Sequence, residues 1–271
     1  MEPIPVETWM EFVSLADKFN LAPLHLPQWA FRGMADSTWA LTHTLLRCSA
    51  IPGLRNPVPT AILTFERFAI QAFQEQAHLF LPATMVQQAT STVVWWTLMQ
   101  HHGAPTRLLD WTQSPYVAAY FASTSEPAKD GAIYLFNIHS MIDAVKNKYG
   151  RYVDLPDDEN VLFERLSAED APRNLGTISS NYKTDRMIAQ QGFFTISENV
   201  LVSHDEVLSD ILGDDMEAFQ KWIIPAKSKP DFLKKFPAMN IMASSLFPGI
   251  DGVGRAVREA VQLAAIKGSI F

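Results

Sequence analysis

Two apolar helical patterns, separated by a short polar stretch, occupy the middle of the chain. In the first, Val93, Trp96 and Met99 recur at helical spacing, and the pattern stops at Gly103, a residue type common just after a helix end. The second pattern is apolar on every face over residues 116–122, and it follows a Ser-Pro pair typical of a helix start. The sequence therefore predicts two helices, the second of them buried, joined by a short connector.

The end of the first helix and the connector carry polar side chains. His101 and His102 fall in the last helical turn, where the helix dipole favours a positive charge, and Arg107 and Asp110 lie in the connector. One interpretation is structural: Arg107 pairs with Asp110 to hold the loop, and the histidines bind backbone carbonyls. The other is that these groups form a site, since structural ion-pair networks and functional sites look alike in a sequence.

Elsewhere the pattern predicts helices near both ends of the chain and strands mainly in its centre. A capping box at Thr8 predicts an N-terminal helix, and a long helix is expected to open at Thr60. A terminal helix is expected over Asp251 to Lys267, packed through Val253, Val257, Val261 and Ala264. The apolar residues expected to face inward on the long helix are Ile62, Phe65, Ala69, Ala72 and Phe73. Short strands are expected at 29–33, 131–138, 192–197 and 221–225.

Length and charge limit the classes of function. A chain of 271 residues with 48% apolar content can bury a sizeable core, and we expect one main domain, 27–271, after an N-terminal helical extension, 1–26. With a net charge of −7 and no basic stripe, stable nucleic-acid binding is not expected. The single cysteine and the absence of a signal-like or membrane-spanning stretch predict a cytoplasmic protein. No metal-ligand motif is present, so no metal site is expected.

The chain resembles the FRG domain family, which is named after a Phe-Arg-Gly motif. Phe31-Arg32-Gly33 is followed by Leu45-Leu46-Arg47, where the family has a second arginine. The stretch from Gln100 to Thr112 is similar to the longest family motif. Later blocks at 186–195 and 246–252 are also similar to the family, so the resemblance extends from about residue 29 to 252.

A more distant similarity is to ADP-ribosyltransferases of the arginine–serine–glutamate type. In those enzymes a first strand carries an arginine that contacts NAD, a Ser-Thr-Ser element leads into a Val-Ala helix, and a third strand carries a catalytic glutamate. Arg32-Gly33, residues 109–118 and residues 187–194 would match these three elements. The resemblance implies an α+β fold with a small split mixed β-sheet core of ADP-ribosyltransferase-like type, surrounded by helices. It also implies NAD as substrate.

The third element departs from that pattern, because Gln190 and Gln191 stand where a glutamate is expected. A glutamine can hydrogen-bond a ribose hydroxyl but supplies no negative charge, so either Asp110 takes that role, His101 acts as the polar group, or the domain binds a nucleotide without cleaving it. The catalytic candidates are therefore His101, Asp110 and Gln190. The candidates for NAD binding are Arg32, Gly33, Arg47, Thr106, Arg107, Thr112, Tyr120 and Gln191.

Three functions remain open on the sequence. The first is an NAD-consuming ADP-ribosyltransferase-like enzyme, a toxin or antiphage effector, with a macromolecular acceptor and a regulatory protein partner. The second is a non-catalytic nucleotide-sensing or interaction domain, which the missing glutamate favours. The third is a hydrolase or nuclease in which His101 activates water and Asp110 orients it. We expect Arg32, His101, Arg107 and Asp110 to line one pocket, since buried charges need partners.

Overall fold

The computed structural model describes most of the chain. The described residues are 2–19, 28–50, 59–153, 155–156, 159–166, 171–178, 183–213, 215 and 217–268.

Seven strands of the described residues form one mixed sheet, with the order β1-β7-β4-β2-β3-β6-β5. β1 runs parallel to β7, and all other neighbours are antiparallel. The fold is therefore α+β, as predicted. The strands are β1 (Ile4–Pro5), β2 (Trp29–Met34), β3 (Leu109–Thr112), β4 (Gly131–Asn137), β5 (Gly176–Ile178), β6 (Gly192–Ile196) and β7 (Phe219–Ile224).

Helices surround this sheet, and short 3₁₀ turns at Ala226–Ser228 and Phe236–Met239 connect some of them. The first six helices are α1 (Trp9–Ala16), α2 (Thr44–Ser49), α3 (Pro59–Ala77), α4 (Ala83–Gln88), α5 (Thr92–His101) and α6 (Pro115–Ser123). Those that follow are α7 (Ile138–Tyr149), α8 (Glu159–Leu166), α9 (Asp185–Ala189), α10 (His204–Leu212), α11 (Lys229–Leu233), α12 (Ala243–Leu246) and α13 (Ile250–Lys267).

The sheet is joined weakly between β2 and β3. All six residues of β2 pair with β4, and all four residues of β3 pair with β6, but β2 and β3 share the single pair Phe31–Thr112. Because strands held by one pair are free to diverge, the sheet opens at this point into two parts, one built on β2 and the other on β3. Among the described residues, backbone groups near this opening are not paired by a neighbouring strand. They and the side chains beside them can therefore contact a ligand.

Alternation along the strands places apolar side chains on both faces of the sheet. Phe31 packs in a core formed with α1, α6 and α11, whereas its neighbour Ala30 packs in a second core with α7 and α10. A third core joins α3, α5 and α8 to β5 and β6. β1 extends the sheet beside β7, and Phe12 of α1 lies in the first core.

The two central helices form as predicted. Ser91 caps the N-terminus of α5, and Gly103 follows its C-cap with a φ of +80°, a conformation that favours glycine. Ser114 caps α6 by accepting a hydrogen bond from the Val117 amide, Pro115 occupies the first helical position, and most of α6 is buried. The connector, however, contains β3, so Asp110 lies on a strand of the sheet rather than in a loop.

Two helical faces differ from the prediction. In α3, Phe65 is exposed, whereas Glu66 is fully buried. In α13, Val253, Val257 and Val261 are exposed, so the prediction that this face packs inward is wrong. The inward face of α13 instead carries Glu259, whose carboxylate accepts hydrogen bonds from the Tyr120 hydroxyl and from the Ala243 amide. The side of this helix that meets the core thus combines the polar contact of Glu259 with the packing of Ala256 against the first core. No described helix is long and apolar enough to cross a membrane.

Candidate functional site

A cavity of about 160 Å³ lies where the sheet opens. It is bounded by β2, β3, α6 and the α9–β6 turn, and its lining residues are Phe31, Arg32, Gly33, Asp110, Trp111, Thr112, Phe121, Arg186 and Gln190. A smaller cavity of about 20 Å³ lies beside it and shares Asp110, Trp111, Arg186 and Gln190 with it, while Gln100 and His101 line only the smaller one. The four shared residues make the two cavities parts of one polar region.

Arg32 joins β2 to β3 across the opening. Its Nη1 donates a hydrogen bond of 2.6 Å to the backbone oxygen of Asp110 and lies 3.8 Å from the Asp110 Oδ2 atom. Burial lowers the pKa of the Arg32 guanidinium, Asp110 raises it, and Arg47 lowers it. The buried Arg32 Nε has no hydrogen-bond partner among the described residues. A partly exposed cation with one buried, unused donor is suited to bind an anionic or carbonyl-bearing ligand.

A relay of hydrogen bonds fixes the Asp110 carboxylate. Gln100, in the last turn of α5, donates from Nε2 to the Asp110 Oδ2 over 2.6 Å. The Thr106 hydroxyl donates to the Gln100 Oε1 over 2.5 Å, which fixes the orientation of the amide. Because Thr106 is fully buried while the Asp110 side chain is about half exposed, the relay leads from the core to an open carboxylate.

His101 lies at the edge of the smaller cavity. Burial lowers its pKa, His102 and Arg186 lower it further, and Asp185 opposes them, so the imidazole is neutral at neutral pH. Its buried Nδ1 has no hydrogen-bond partner among the described residues. Its backbone oxygen is 3.5 Å from Arg186 Nη1.

Trp111 forms an apolar wall of the cavity, and a buried chain of hydrogen bonds holds its ring. The indole Nε1 donates to the Thr195 hydroxyl over 2.8 Å, and that hydroxyl lies 2.8 Å from His204 Nδ1. The hydroxyl accepts from the indole, and its own hydrogen can be donated to His204 Nδ1. Burial lowers the pKa of His204 well below its usual range, which keeps the ring neutral and Nδ1 able to accept.

The glutamine pair lies in the turn between α9 and β6. The Thr112 hydroxyl donates to the Gln190 backbone oxygen over 2.7 Å, and Gln190 Nε2 donates to the Leu246 oxygen over 3.0 Å. Gln191 has a φ of +49°, and its oxygen accepts from the Gln113 amide. The turn is therefore fixed to β3, and Gln190 lines the cavity whereas Gln191 does not.

Arg107 is separated from the cavity, and the predicted Arg107–Asp110 pair is wrong. Its guanidinium donates to the Glu66 carboxylate through Nε (2.7 Å) and Nη2 (2.5 Å), with 1% and 0% of the two side chains exposed. The prediction that Arg107 lines the common pocket is therefore also wrong. The bidentate geometry with a fully buried carboxylate leaves Arg107 no access to a ligand.

Four other binding candidates do not line the cavity. Arg47 is exposed and donates to the Thr42 oxygen. Thr106 acts on the cavity indirectly, through Gln100. Tyr120 points away from it and binds Glu259 in a separate, largely apolar cavity of about 200 Å³ beside α13. Gln191 is the fourth.

Gly33 lines the cavity, but its lack of a side chain serves packing. A Cβ at this position would overlap the Ala118 carbonyl oxygen, because α6 crosses β2 at very short distance. The Phe-Arg-Gly sequence thus combines three separate roles, namely a core aromatic, a cavity cation and a helix contact.

Sequence reasoning missed Gln100 and Arg186 as site residues. Both stand in blocks that resemble the FRG family, at the beginning of the 100–112 motif and of the 186–195 block. Their polar side chains, each beside a conspicuous apolar segment, were the available signal. The Arg186 guanidinium also lies over the Phe247 ring, 4.8 Å from its centroid.

Comparison with known proteins supports one assignment. Residues 27–131 match the model of the FRG domain family. This segment includes β2, β3, α5 and α6, the elements that carry Arg32, Gln100 and Asp110. No curated protein and no solved structure matches the chain. Residues 27–131 are therefore the part of the chain assigned to the FRG domain family.

Proposed function

We propose that the cavity between β2 and β3 binds NAD and that the protein cleaves the nicotinamide–ribose bond, as an ADP-ribosyltransferase-like enzyme. The observation that carries this proposal is the Asp110 carboxylate. It is open to the cavity, fixed by Gln100 and adjacent to the Arg32 guanidinium. A carboxylate held in this way supplies the negative charge that the glutamine-containing third element lacks.

The positions of the three elements support the proposal. Arg32 lies on β2, the polar element of residues 109–112 is β3 and leads directly into α6, and the Gln-Gln turn begins β6. These strands are neighbours in the order β2-β3-β6, although about 75 residues separate each from the next along the chain. An arginine strand, a polar strand with its helix, and a third strand thus meet at one opening.

The chemistry assigns a distinct part to each group. When the bond between nicotinamide N1 and ribose C1′ breaks, its electron pair leaves with neutral nicotinamide and positive charge develops on the ribose. The Asp110 carboxylate would stabilise that charge electrostatically, and Gln100 would keep it oriented. Water or an acceptor group then attacks C1′ and loses a proton, giving ADP-ribose or an ADP-ribosylated product.

The apolar lining suits the nicotinamide end of the molecule. Phe31, Trp111 and Phe121 contribute aromatic surface to the cavity, and the amide oxygen of Gln190 is not engaged in a hydrogen bond with the described residues. The volume of about 160 Å³ is below the roughly 300–1,000 Å³ of whole ligand pockets. The enclosed part would therefore hold nicotinamide and its ribose, and the remaining nucleotide would extend outward.

The hydrolase alternative has less support in the geometry. Among the described residues, no hydrogen bond connects His101 with Asp110, and the carboxylate is held by Gln100 instead. A histidine that activates water with an aspartate as its orienting partner needs that bond.

The test is nicotinamide release by the purified protein with NAD, alone and with cell lysate as a source of acceptor. NAD binding should also raise the free energy of unfolding, by about 2.7 kcal/mol at a hundredfold excess over the dissociation constant. Release together with stabilisation supports the proposal. Stabilisation without release would indicate the nucleotide-sensing domain, and the absence of both would refute NAD as ligand.

A further inference from the structure

Two arginine side chains converge on one buried aromatic ring, that of Phe247, and one of the two, Arg186, lines the cavity. The guanidinium carbon of Arg186 is 4.8 Å from the centroid of the Phe247 ring, and that of Arg255 is 4.2 Å from it. Arg186 comes from α9, Arg255 from the second turn of α13, and Phe247 from the segment between α12 and α13. Two parts of the chain about 60 residues apart, α9 and the segment from Phe247 to Arg255, therefore bring two cations to one ring.

Both guanidinium groups retain unused donors. A guanidinium that stacks on a ring engages its flat face and leaves its five N–H groups, which lie in its plane, free to bind. Arg186 makes one long hydrogen bond, 3.5 Å to the His101 oxygen, and Arg255 makes no hydrogen bond or ion pair with any described residue. Phe247 thus positions the two guanidinium groups without using their hydrogen-bond donors.

The electrostatics favour an anion near these two groups. Burial lowers the pKa of Arg186, Arg255 lowers it further by like-charge repulsion, and Asp110 opposes both. No carboxylate of the described residues forms an ion pair with either arginine, in a protein whose net charge is −7. Two like charges that form no ion pair with the described residues, one of them in the lining of a cavity, attract a bound anion.

We propose that Arg186 and Arg255, held by Phe247, form a subsite for the diphosphate of a dinucleotide. The inference deepens the proposed function and rests on it. Arg186 lines the same cavity as Asp110, and in NAD the diphosphate is one ribose away from the bond to be cleaved. With the nicotinamide ribose beside Asp110, the diphosphate would reach Arg186 in the cavity lining, and Arg255 is held near Arg186 by the ring that both contact.

The direct experiment is calorimetric titration of the whole protein with ADP-ribose, which contains the diphosphate but no nicotinamide. Arg255→Ala should weaken binding about tenfold or more, the loss expected for one charge-assisted hydrogen bond. Arg258→Ala, an equally exposed arginine one turn further along α13, is the matched control and should bind like the wild type. Arg255→Lys keeps the charge but not the planar fork, so its affinity should be intermediate.

A second ligand separates the subsite from the rest of the cavity. Nicotinamide riboside has no phosphate, so Arg255→Ala should leave its binding unchanged. Phe247→Leu should weaken ADP-ribose binding in the same direction as Arg255→Ala, because the ring that positions both cations is gone. Equal ADP-ribose affinity in Arg255→Ala and Arg258→Ala would overturn the subsite, as would the absence of ADP-ribose binding by the wild type.

The outcomes also distinguish this proposal from the proposed function. Nicotinamide release with a Michaelis constant for NAD that Arg255→Ala does not change would refute the subsite and leave the enzyme assignment intact. ADP-ribose binding that depends on Arg255, without nicotinamide release, would refute the enzyme assignment and support the subsite. Inorganic pyrophosphate that binds as tightly as ADP-ribose would overturn the assignment to a nucleotide.

Discussion

Two arginine–carboxylate pairs of this protein, Arg107–Glu66 and Arg32–Asp110, combine the same chemical groups in opposite environments. The first is bidentate, at 2.5 and 2.7 Å, with at most 1% of either side chain exposed. In the second, the guanidinium is 3.8 Å from the carboxylate, with 17% of the arginine side chain and 48% of the aspartate side chain exposed. Arg32 makes its short bond to a backbone oxygen and leaves the carboxylate open.

The two pairs differ in how much of their hydrogen-bonding capacity is used within the protein. This difference distinguishes a structural pair from a candidate site. In Arg107–Glu66 each group meets the hydrogen-bonding needs of the other. The pair joins α3, which carries Glu66, to the residues just before β3, which include Arg107. Removing either partner leaves an uncompensated buried charge. In Arg32–Asp110 the carboxylate depends on Gln100 for its orientation and retains capacity for a ligand. We therefore expect the first pair to govern stability and the second to govern activity.

The largest effect is expected for Glu66→Ala. It should lower the free energy of unfolding by about 3–5 kcal/mol, because the buried Arg107 loses its counter-charge. Glu75→Ala, an exposed glutamate on the same helix, is the control and should change the stability by no more than about 0.5 kcal/mol. Denaturant unfolding of both variants measures the difference. Equal stability of the two variants would show that the Arg107–Glu66 pair does not govern the stability of the protein.

Asp110→Asn should show the reverse behaviour. The rate of nicotinamide release should fall by about 10²–10³-fold, the range for loss of one electrostatic group at a developing charge. The melting temperature should change little, since asparagine keeps the size and one acceptor of a half-exposed side chain. Asp143→Asn, at an exposed position on α7, should leave the rate unchanged. A large loss of stability in Asp110→Asn would show that the Arg32–Asp110 pair also has a structural role.

The buried region should also respond to pH through its histidines. Burial lowers the pKa of His43 to about 4, despite the hydrogen bond to the Val200 oxygen, and it lowers the pKa of His204 in the same direction. The unfolded chain takes up a proton on each histidine below about pH 6.5, before the folded protein does. Stability from His43 is therefore complete above about pH 6.5 and is lost, by about 3 kcal/mol, as the pH falls to about 4.

His43→Asn tests that contribution, because asparagine does not titrate and can still cap α2 by accepting from the Leu46 amide. Unfolding experiments between pH 7 and 4 should give a shallower loss of stability for the variant than for the wild type. Parallel curves would show that His43 takes up its proton in the folded protein as readily as in the unfolded chain.

The smallest change is expected for Gln100→Glu. This substitution keeps an acceptor for the Thr106 hydroxyl but places a second carboxylate beside Asp110. Like charge raises the pKa of such a pair, so the acidic limb of the rate profile for nicotinamide release should move upward by about 1 pH unit. Activity should recover at higher pH, which a purely structural defect would not allow. An unshifted profile would refute the positioning role of Gln100.

The parts of the fold that the sequence predicted correctly depend on local interactions. The stop of α5 at Gly103 and the Ser114-Pro115 start of α6 follow from the φ of glycine and from capping by residues only three positions away. The position of Arg32 on an aromatic strand was predicted as well. The residues that failed the prediction have distant partners: Arg107 binds Glu66, 41 positions away, and Tyr120 binds Glu259, 139 positions away.

The sequence by itself determined the helices around the connector, the strand that carries Arg32 and the concentration of polar groups between apolar segments, because capping, periodicity and turn preference act over a few residues. The tertiary structure alone decided which arginine is buried and which is open, that Gln100 and Arg186 reach the Asp110 cavity, and which face of α13 packs inward. The meeting of Gln100 and Arg186 at the Asp110 cavity depends on how the sheet opens between β2 and β3, where one residue pair replaces a continuous ladder. Side chains from distant segments meet at that opening. Rules that act over a few residues cannot predict the distances between these side chains.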